Sequence, residues 1–211
     1  MRRRRRAGRG ATPGALAPIT SRDTTPGAPT VGALVYRGVS SADVDEPVTR
    51  LADRLGAGVA LVGPAVGPLH AVEPARSIVA AFDPAGAPPI DVLVVPGGLG
   101  WRQVIDDGVV RDWLAATAAS ARAVLAISTG SLLLAAVGGL DGRVATGHWL
   151  ATDDLAALGA RVATTRTASD EAGRVVTASG ALAALGLVDA LADHARWSPP
   201  TPVTDGVRPH L

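Results

Sequence analysis

Ser128 stands in Ala123-Val-Leu-Ala-Ile-Ser-Thr-Gly-Ser-Leu-Leu-Leu-Ala135, where an apolar strand-like run turns abruptly into a helical pattern. A hydroxyl at such a junction sits over the end of a sheet and beside free helix N–H groups, the setting of a nucleophile elbow. Ala126-Ile-Ser-Thr-Gly130 fits the small-x-Ser-x-Gly form of that elbow, with alanine in the first small position. Serine is equally a favoured helix N-cap, and Ser128 or Thr129 could do only that. A second candidate feature is Pro96-Gly97-Gly98-Leu-Gly100 after a strand. Its backbone N–H groups could face an oxyanion or phosphate, or the glycines could simply make a tight turn; it is not the Gly-x-Gly-x-x-Gly of dinucleotide sites. Asp43, Asp45 and Glu46 follow the first strand. One of them, partly buried, could share a proton with a nucleophile, while the others serve the dipole of the helix they open. His148 lies twenty residues beyond Ser128, past one helix and one strand, and is expected near the same rim. A lone histidine there is otherwise structural. The four histidines never occur at metal-ligand spacing, so no metal is expected.

These residues need a scaffold, and 211 residues suit one domain with a full core. Hydrophobic residues make up 47% and charged residues 18%, the balance of a globular chain. There is no lysine, which excludes Schiff-base chemistry and a P-loop lysine. There is no cysteine, which excludes a thiol nucleophile, a disulfide and a thiolate-bound metal. Six arginines fall in the first nine residues; the remainder carries 14 basic against 19 acidic side chains, a net charge of −5. A mildly acidic domain argues against nucleic acid binding. The arginine cluster is read as a disordered tail or as upstream sequence from an early start codon, rather than as an anchor for nucleic acid or anionic lipid. No apolar run follows it as a secretory signal requires, and no segment reaches the ~18 apolar residues of a membrane span. The expected location is cytoplasmic.

The chain divides into an Arg/Gly/Pro-rich tail over 1–29, a domain over 30–197 and a Pro-rich tail over 198–211. Within the domain, continuous apolar runs at 31–36, 58–63, 91–95 and 123–127 read as strands buried on both faces. Helices are expected from Ser40 or Ser41 through Pro47 to Leu55, around Val109, Trp113 and Leu114, over 129–138, around 150–158 and over 180–195. Two short segments are expected between Gly/Pro turns over 64–89, the clearer being 77–82, and further strands near Val144 and at 160–166 and 173–178, the last two joined at Asp170-Glu-Ala-Gly173. Alternating strands and helices predict an α/β, doubly wound, mostly parallel sheet with helices on both faces, with ligands beyond the carboxyl ends of its strands. Ser128, Gly97, Gly98 and the loop after Tyr36 all fall at such ends.

The order of motifs resembles the ThiJ/PfpI superfamily of class I glutamine amidotransferase-like domains. The matching stretches are Val31 to Pro47, Asp91-Val-Leu-Val-Val-Pro-Gly-Gly98, Ala126 to Ala135, and Gly139-Leu-Asp-Gly-Arg-Val-Ala-Thr-Gly-His-Trp149. Within the family the likeness is greatest to isocyanide hydratases and to the ligand-side domain of amidase-like regulators of the AraC type. The resemblance implies a flavodoxin-like fold, a homodimer and a small-molecule ligand, with no cofactor required. It places Asp43 opposite the nucleophile, gives Gly98 and Thr129 the amides of an anion pocket, and sets His148 nearby. It also places Ser128 where the family has cysteine. Arg37 stands in place of a usual proline, and Thr146-Gly-His-Trp149 in place of Thr-Thr-His-Trp.

The change to serine decides what is open. Cysteine at neutral pH is a few per cent thiolate, whereas serine is un-ionised and needs a base within hydrogen-bond reach, for which Asp43 and His148 are the candidates. Oxidation sensing and thiohemiacetal chemistry are therefore disfavoured. Two readings stand: a hydratase or hydrolase acting on a small electrophile through Ser128, and a catalytically inactive relative that binds a small ligand or regulates. An α/β-hydrolase would need an acid and then a histidine after the serine, and His194 alone is well placed for it.

Overall fold

The computed structural model describes Thr20, Ser21 and residues 27–197. The tails expected over 1–29 and 198–211 fall almost wholly outside the described residues. From Thr30 the chain alternates as its apolar runs require. It forms β1 (Thr30–Leu34), α1 (Ser41–Leu55), β2 (Gly58–Val62), a hairpin of β3 (Gly67–Ala71) and β4 (Arg76–Ala80), then β5 (Val92–Val95). After it come α2 (Trp101–Ile105), α3 (Gly108–Ser120), β6 (Ala123–Ile127), α4 (Gly130–Ala136) and β7 (Val144–Ala145). A single 3₁₀ turn (Trp149–Ala151) leads to α5 (Thr152–Ala157), β8 (Arg161–Val162), β9 (Thr167–Ser169), β10 (Val175–Ala178), α6 (Ala181–Leu185) and α7 (Val188–Trp197).

The main sheet has the order β2-β1-β5-β6-β10-β9; all its pairings are parallel except the edge pair β10–β9. Every residue of β1, β2, β5, β6 and β10 is buried, which is why these strands read as unbroken apolar runs rather than alternating ones. Helices α1, α6 and α7 pack together, as do α2, α3, α4 and α5, giving the two layers of a doubly wound, flavodoxin-like fold. Among the described residues no helix is long and apolar enough to cross a membrane.

Several local expectations are corrected. The strand expected over 160–166 shrinks to β8, which pairs with β7 in a separate two-stranded sheet; the turn at 170–173 instead joins β9 to β10. The last helix breaks into α6 and α7 at Gly186. In α3 the inward face is Val110, Leu114, Thr117 and Ala118, and Val109 is 64% exposed. A choice between two adjacent valines turns on one residue of register, which composition does not fix. Ser40 holds the N-cap position of α1, but its side chain makes no capping bond, and the Ser41 hydroxyl donates elsewhere.

Tight backbone contact at the strand ends explains the Gly-rich loops. A Cβ on Gly130 would lie 2.0 Å from the Val95 carbonyl oxygen. Backbone cannot yield there, so Gly130→Ala is expected to cost at least about 3 kcal/mol despite alanine's better helix propensity, lowering Tm by roughly 6–12 °C in a thermal melt.

Candidate active site

Ser128 ends β6 with its backbone at φ 58°, one of two non-glycine residues with positive φ among those described. A single serine in the left-handed region costs of order 1 kcal/mol and persists only where its surroundings over-determine it. The Ser128 N–H donates to Ala178 O at 2.8 Å, tying the elbow to β10. On the other side Gly147 passes so close that an added Cβ would stand 3.0 Å from the Ser128 carbonyl oxygen. That segment is pinned in turn: the Ser131 hydroxyl donates to Thr146 O at 2.7 Å, and the Thr146 N–H donates to the Thr177 hydroxyl at 2.9 Å.

The capping explanation for this serine fails. Thr129 occupies the N-cap of α4 and makes no side-chain cap bond. Its hydroxyl accepts from Gly98 N at 2.9 Å and reaches Gly98 O at 3.3 Å. Among the described residues no group hydrogen-bonds to Ser128 Oγ, so the side chain is committed to nothing in the fold.

Asp43 lies in the first turn of α1 rather than in the loop before it, and is 4% exposed. Its Oδ2 accepts from Gly97 N at 3.1 Å. Burial pushes its carboxyl up to about 6; the Gly97 N–H pulls the other way, the Glu73 charge adds to the rise, and the Ala181 N–H opposes it more weakly. Asp45 and Glu46, its neighbours in sequence, pair with Arg76 and Arg50 and face away from this chemistry. Beneath Asp43, Tyr36 is fully buried and donates from its hydroxyl to Pro96 O at 3.0 Å. Burial and the Asp43 charge hold that phenol well above its ordinary value, so it stays neutral.

A carboxyl that titrates near 6 when folded and near 3.8 in its ordinary state favours the fold in its protonated form. Its contribution is complete below pH 4 and is lost as pH rises through 6. Asp43→Asn, which cannot ionise, is therefore expected to be more stable than the wild type at pH 8 by about 1–3 kcal/mol. The gap should close at pH 4; urea unfolding at the two pH values reads it.

Ser128, Asp43, Gly98, Thr129 and His148 line one cavity of about 470 Å³ at the carboxyl ends of β1, β5, β6 and β10. Gly97 stands just behind, where an added Cβ would meet Ser128 Cβ at 2.8 Å. The amides at Gly97 and Gly98, expected to face an anion, are spent inside the protein on Asp43 and Thr129. Thr129 N–H is the one amide of the three without a partner among the described residues. His148 Nδ1 accepts from Leu150 N at 3.3 Å, and its ring lies 5.9 Å from that of Trp149. With Nδ1 occupied by a main-chain donor, Nε2 is the ring nitrogen without a hydrogen-bond partner among the described residues. Among the described residues no group of three or more His, Asp or Glu side chains could hold a metal ion.

The cavity also contains residues that the sequence did not single out. Leu99, Trp101, Leu132 and Leu150 give it apolar walls, and Leu99 and Leu150 are 80% and 69% exposed at its mouth. Arg102 lies over the Trp101 ring at 4.5 Å and reaches Asp154 across the mouth at 3.3 Å. Glu73 enters from the tip of the β3–β4 hairpin. No sequence signal marked it, because its position depends on the hairpin docking against α1.

Residues 30–193 match the model of the DJ-1/PfpI family, and the chain belongs to that family. A region of 98 residues is 40% identical to an isonitrile hydratase of Pseudomonas putida, spanning 46% of this chain and 42% of that protein. The chain thus matches under half the length of this curated relative. A crystal structure of a ThiJ/PfpI family protein from Pseudomonas syringae superposes with a TM-score of 0.71 at 27% identity, covering 92% of this chain and 88% of that one. Drosophila melanogaster DJ-1beta shares the fold at a TM-score of 0.68 and 18% identity, over 80% of this chain and 94% of that one.

Proposed function

We propose that this protein hydrates a small isonitrile to the corresponding formamide, with Ser128 as nucleophile and Asp43 as acid and then base. The observation that supports this reading is a buried carboxyl titrating near 6 in the same cavity as a strained, uncommitted serine. The terminal carbon of an isonitrile is basic. Protonated Asp43 gives its proton to that carbon, which becomes a nitrilium strong enough to be attacked by an un-ionised hydroxyl. Ser128 Oγ bonds to the carbon, and its proton passes to the Asp43 carboxylate, leaving an imidate ester. Water then adds across the C=N bond, its hydroxyl on carbon and its proton on nitrogen. The tetrahedral adduct collapses to formamide and expels Ser128, whose oxygen recovers a proton through Asp43. One water is consumed and the enzyme returns to its starting state.

The committed amides favour this route over ester or amide hydrolysis. Acyl transfer develops a full negative charge on oxygen and needs two or more converging donors. Here the Gly97 and Gly98 amides are engaged, and of the three loop amides only Thr129 N–H has no partner among the described residues. A reaction running through a cation beside carboxylates needs no such hole.

A second reading, a ligand-binding module without turnover, is favoured by one observation: no described group hydrogen-bonds to Ser128 Oγ as a base would. Isonitrile turnover in the wild type, beside Ser128→Cys, separates the two. An active wild type supports the hydratase; activity in the cysteine variant alone supports a binding module that retains the pocket; silence from both overturns the hydratase reading. Family resemblance further supports a homodimer, and sedimentation reads the oligomeric state.

A further inference from the structure

We propose that Glu73 is a specificity-determining residue that admits neutral or cationic ligands to the cavity and turns anionic ones away. This rests on the cavity being the place where a ligand meets residue 128. Glu73 sits at the tip of the β3–β4 hairpin with φ 54°, the other non-glycine residue held in the left-handed region. Such a conformation at a glutamate persists only where neighbours hold it. The neighbours belong to the start of α1. Ser41 N–H donates to Val72 O at 2.8 Å, Ala42 N–H donates to Glu73 O at 3.2 Å, and the Ser41 hydroxyl donates to Pro74 O at 2.7 Å. Val72 N–H completes the attachment by donating to Val39 O at 2.8 Å. Ser41 itself is fully buried, so the hydroxyl is spent on fastening this tip.

The fastened tip sets an exposed glutamate at the rim of a cavity whose lining also includes buried Asp43 and exposed Asp154, close enough for its charge to act on Asp43. Among the described residues Arg102 is the one arginine lining it, and it is paired with Asp154 and laid against Trp101. His148 Nδ1 is engaged by Leu150 N–H, and two of the three loop amides are engaged elsewhere. An entering anion therefore meets carboxylates and little to neutralise it. A neutral or positively charged molecule of the same size meets apolar walls and a favourable field.

The test needs no turnover. The chain has no cysteine, so Ser128→Cys places a single thiol at the cavity floor. Iodoacetamide and iodoacetate alkylate a thiolate in the same way, forming the S–C bond and expelling iodide, and they differ chiefly in charge. Their rate ratio cancels the fraction of thiolate. In Ser128→Cys the iodoacetamide-to-iodoacetate ratio is expected to exceed that of N-acetylcysteinamide by about tenfold at low salt, and to narrow at 0.5 M salt. Adding Glu73→Gln is expected to lower the ratio about three- to tenfold. Glu73→Asn, which tolerates positive φ, guards against a local backbone change and should act alike. A ratio within twofold of the free thiol's, or one that neither Glu73 variant moves, overturns the proposal. The isonitrile assay is separate, so a chain without hydratase activity can still show the charge selection, and a hydratase can fail it.

Discussion

Ser128→Ala is expected to lower kcat/KM for isonitrile hydration by at least about 10³-fold while leaving the fold intact. The two halves of this expectation come from the same geometry. In the proposed route the hydroxyl bonds to the nitrilium carbon, so its loss leaves only water, unpositioned, to capture a short-lived cation. The fold does not use that hydroxyl, since no described group hydrogen-bonds to it, and alanine keeps the Cβ and the φ of 58°. Tm should shift by no more than roughly 2 °C, a change typical of groups outside any network. A binding module would behave differently: the variant would retain ligand affinity with nothing catalytic to lose. Product formamide measured by NMR, alongside a thermal melt, reads both quantities in one preparation.

Asp43→Asn is expected to reduce turnover by about 10²–10⁴-fold, the range for removing a positioned acid–base group. In the wild type, kcat/KM should be level below pH 6 and fall tenfold per pH unit above it. In the acid-first route the protonated carboxyl is the reactive form, and it is lost as pH rises through about 6. The residual activity of Asp43→Asn should lack this fall. A wild-type profile that instead rises with pH through 6 would show a base at work and overturn the acid-first route. The same substitution is expected to stabilise the protein at pH 8, so lost activity cannot be ascribed to unfolding. Opposite signs on stability and turnover mark a group kept for chemistry at a cost to the fold.

Much of this was legible in the sequence because parallel strands buried on both faces leave an unmistakable trace. Val31 to Tyr36, Val92 to Val95 and Ala123 to Ile127 read as strands, and their ends name the loops that carry Asp43, Gly97, Gly98 and Ser128. That Asp43, of three adjacent acids, is the buried one was expected in kind, and α1 supplies the reason: its first turn aims that side chain at Gly97 N. Amide commitments were not legible. Whether Gly98 N–H faces a ligand or the Thr129 hydroxyl depends on tenths of an ångström between two loops 31 residues apart. Glu73 was invisible for a related reason, since nothing local to Val72-Glu-Pro-Ala75 records that the Ser41 hydroxyl will hold it. The short edge strand β9 eluded the pattern, and β8 was read too long, because two or three half-exposed residues carry no periodicity.

The β3–β4 hairpin stands outside the six-stranded sheet, and its tip is fastened to α1 chiefly through main-chain bonds and one serine. Main-chain bonds are indifferent to the side chain at position 73. The part proposed to set the charge of the cavity is therefore separable from the part proposed to make and break bonds. Relatives can diverge in diet by exchanging one tip residue while the elbow and its acid remain untouched. For the engineer, the same separation makes position 73 the place to begin a library: polar or basic residues that accept a left-handed backbone should redirect the site toward carboxylated molecules without rebuilding the catalytic floor.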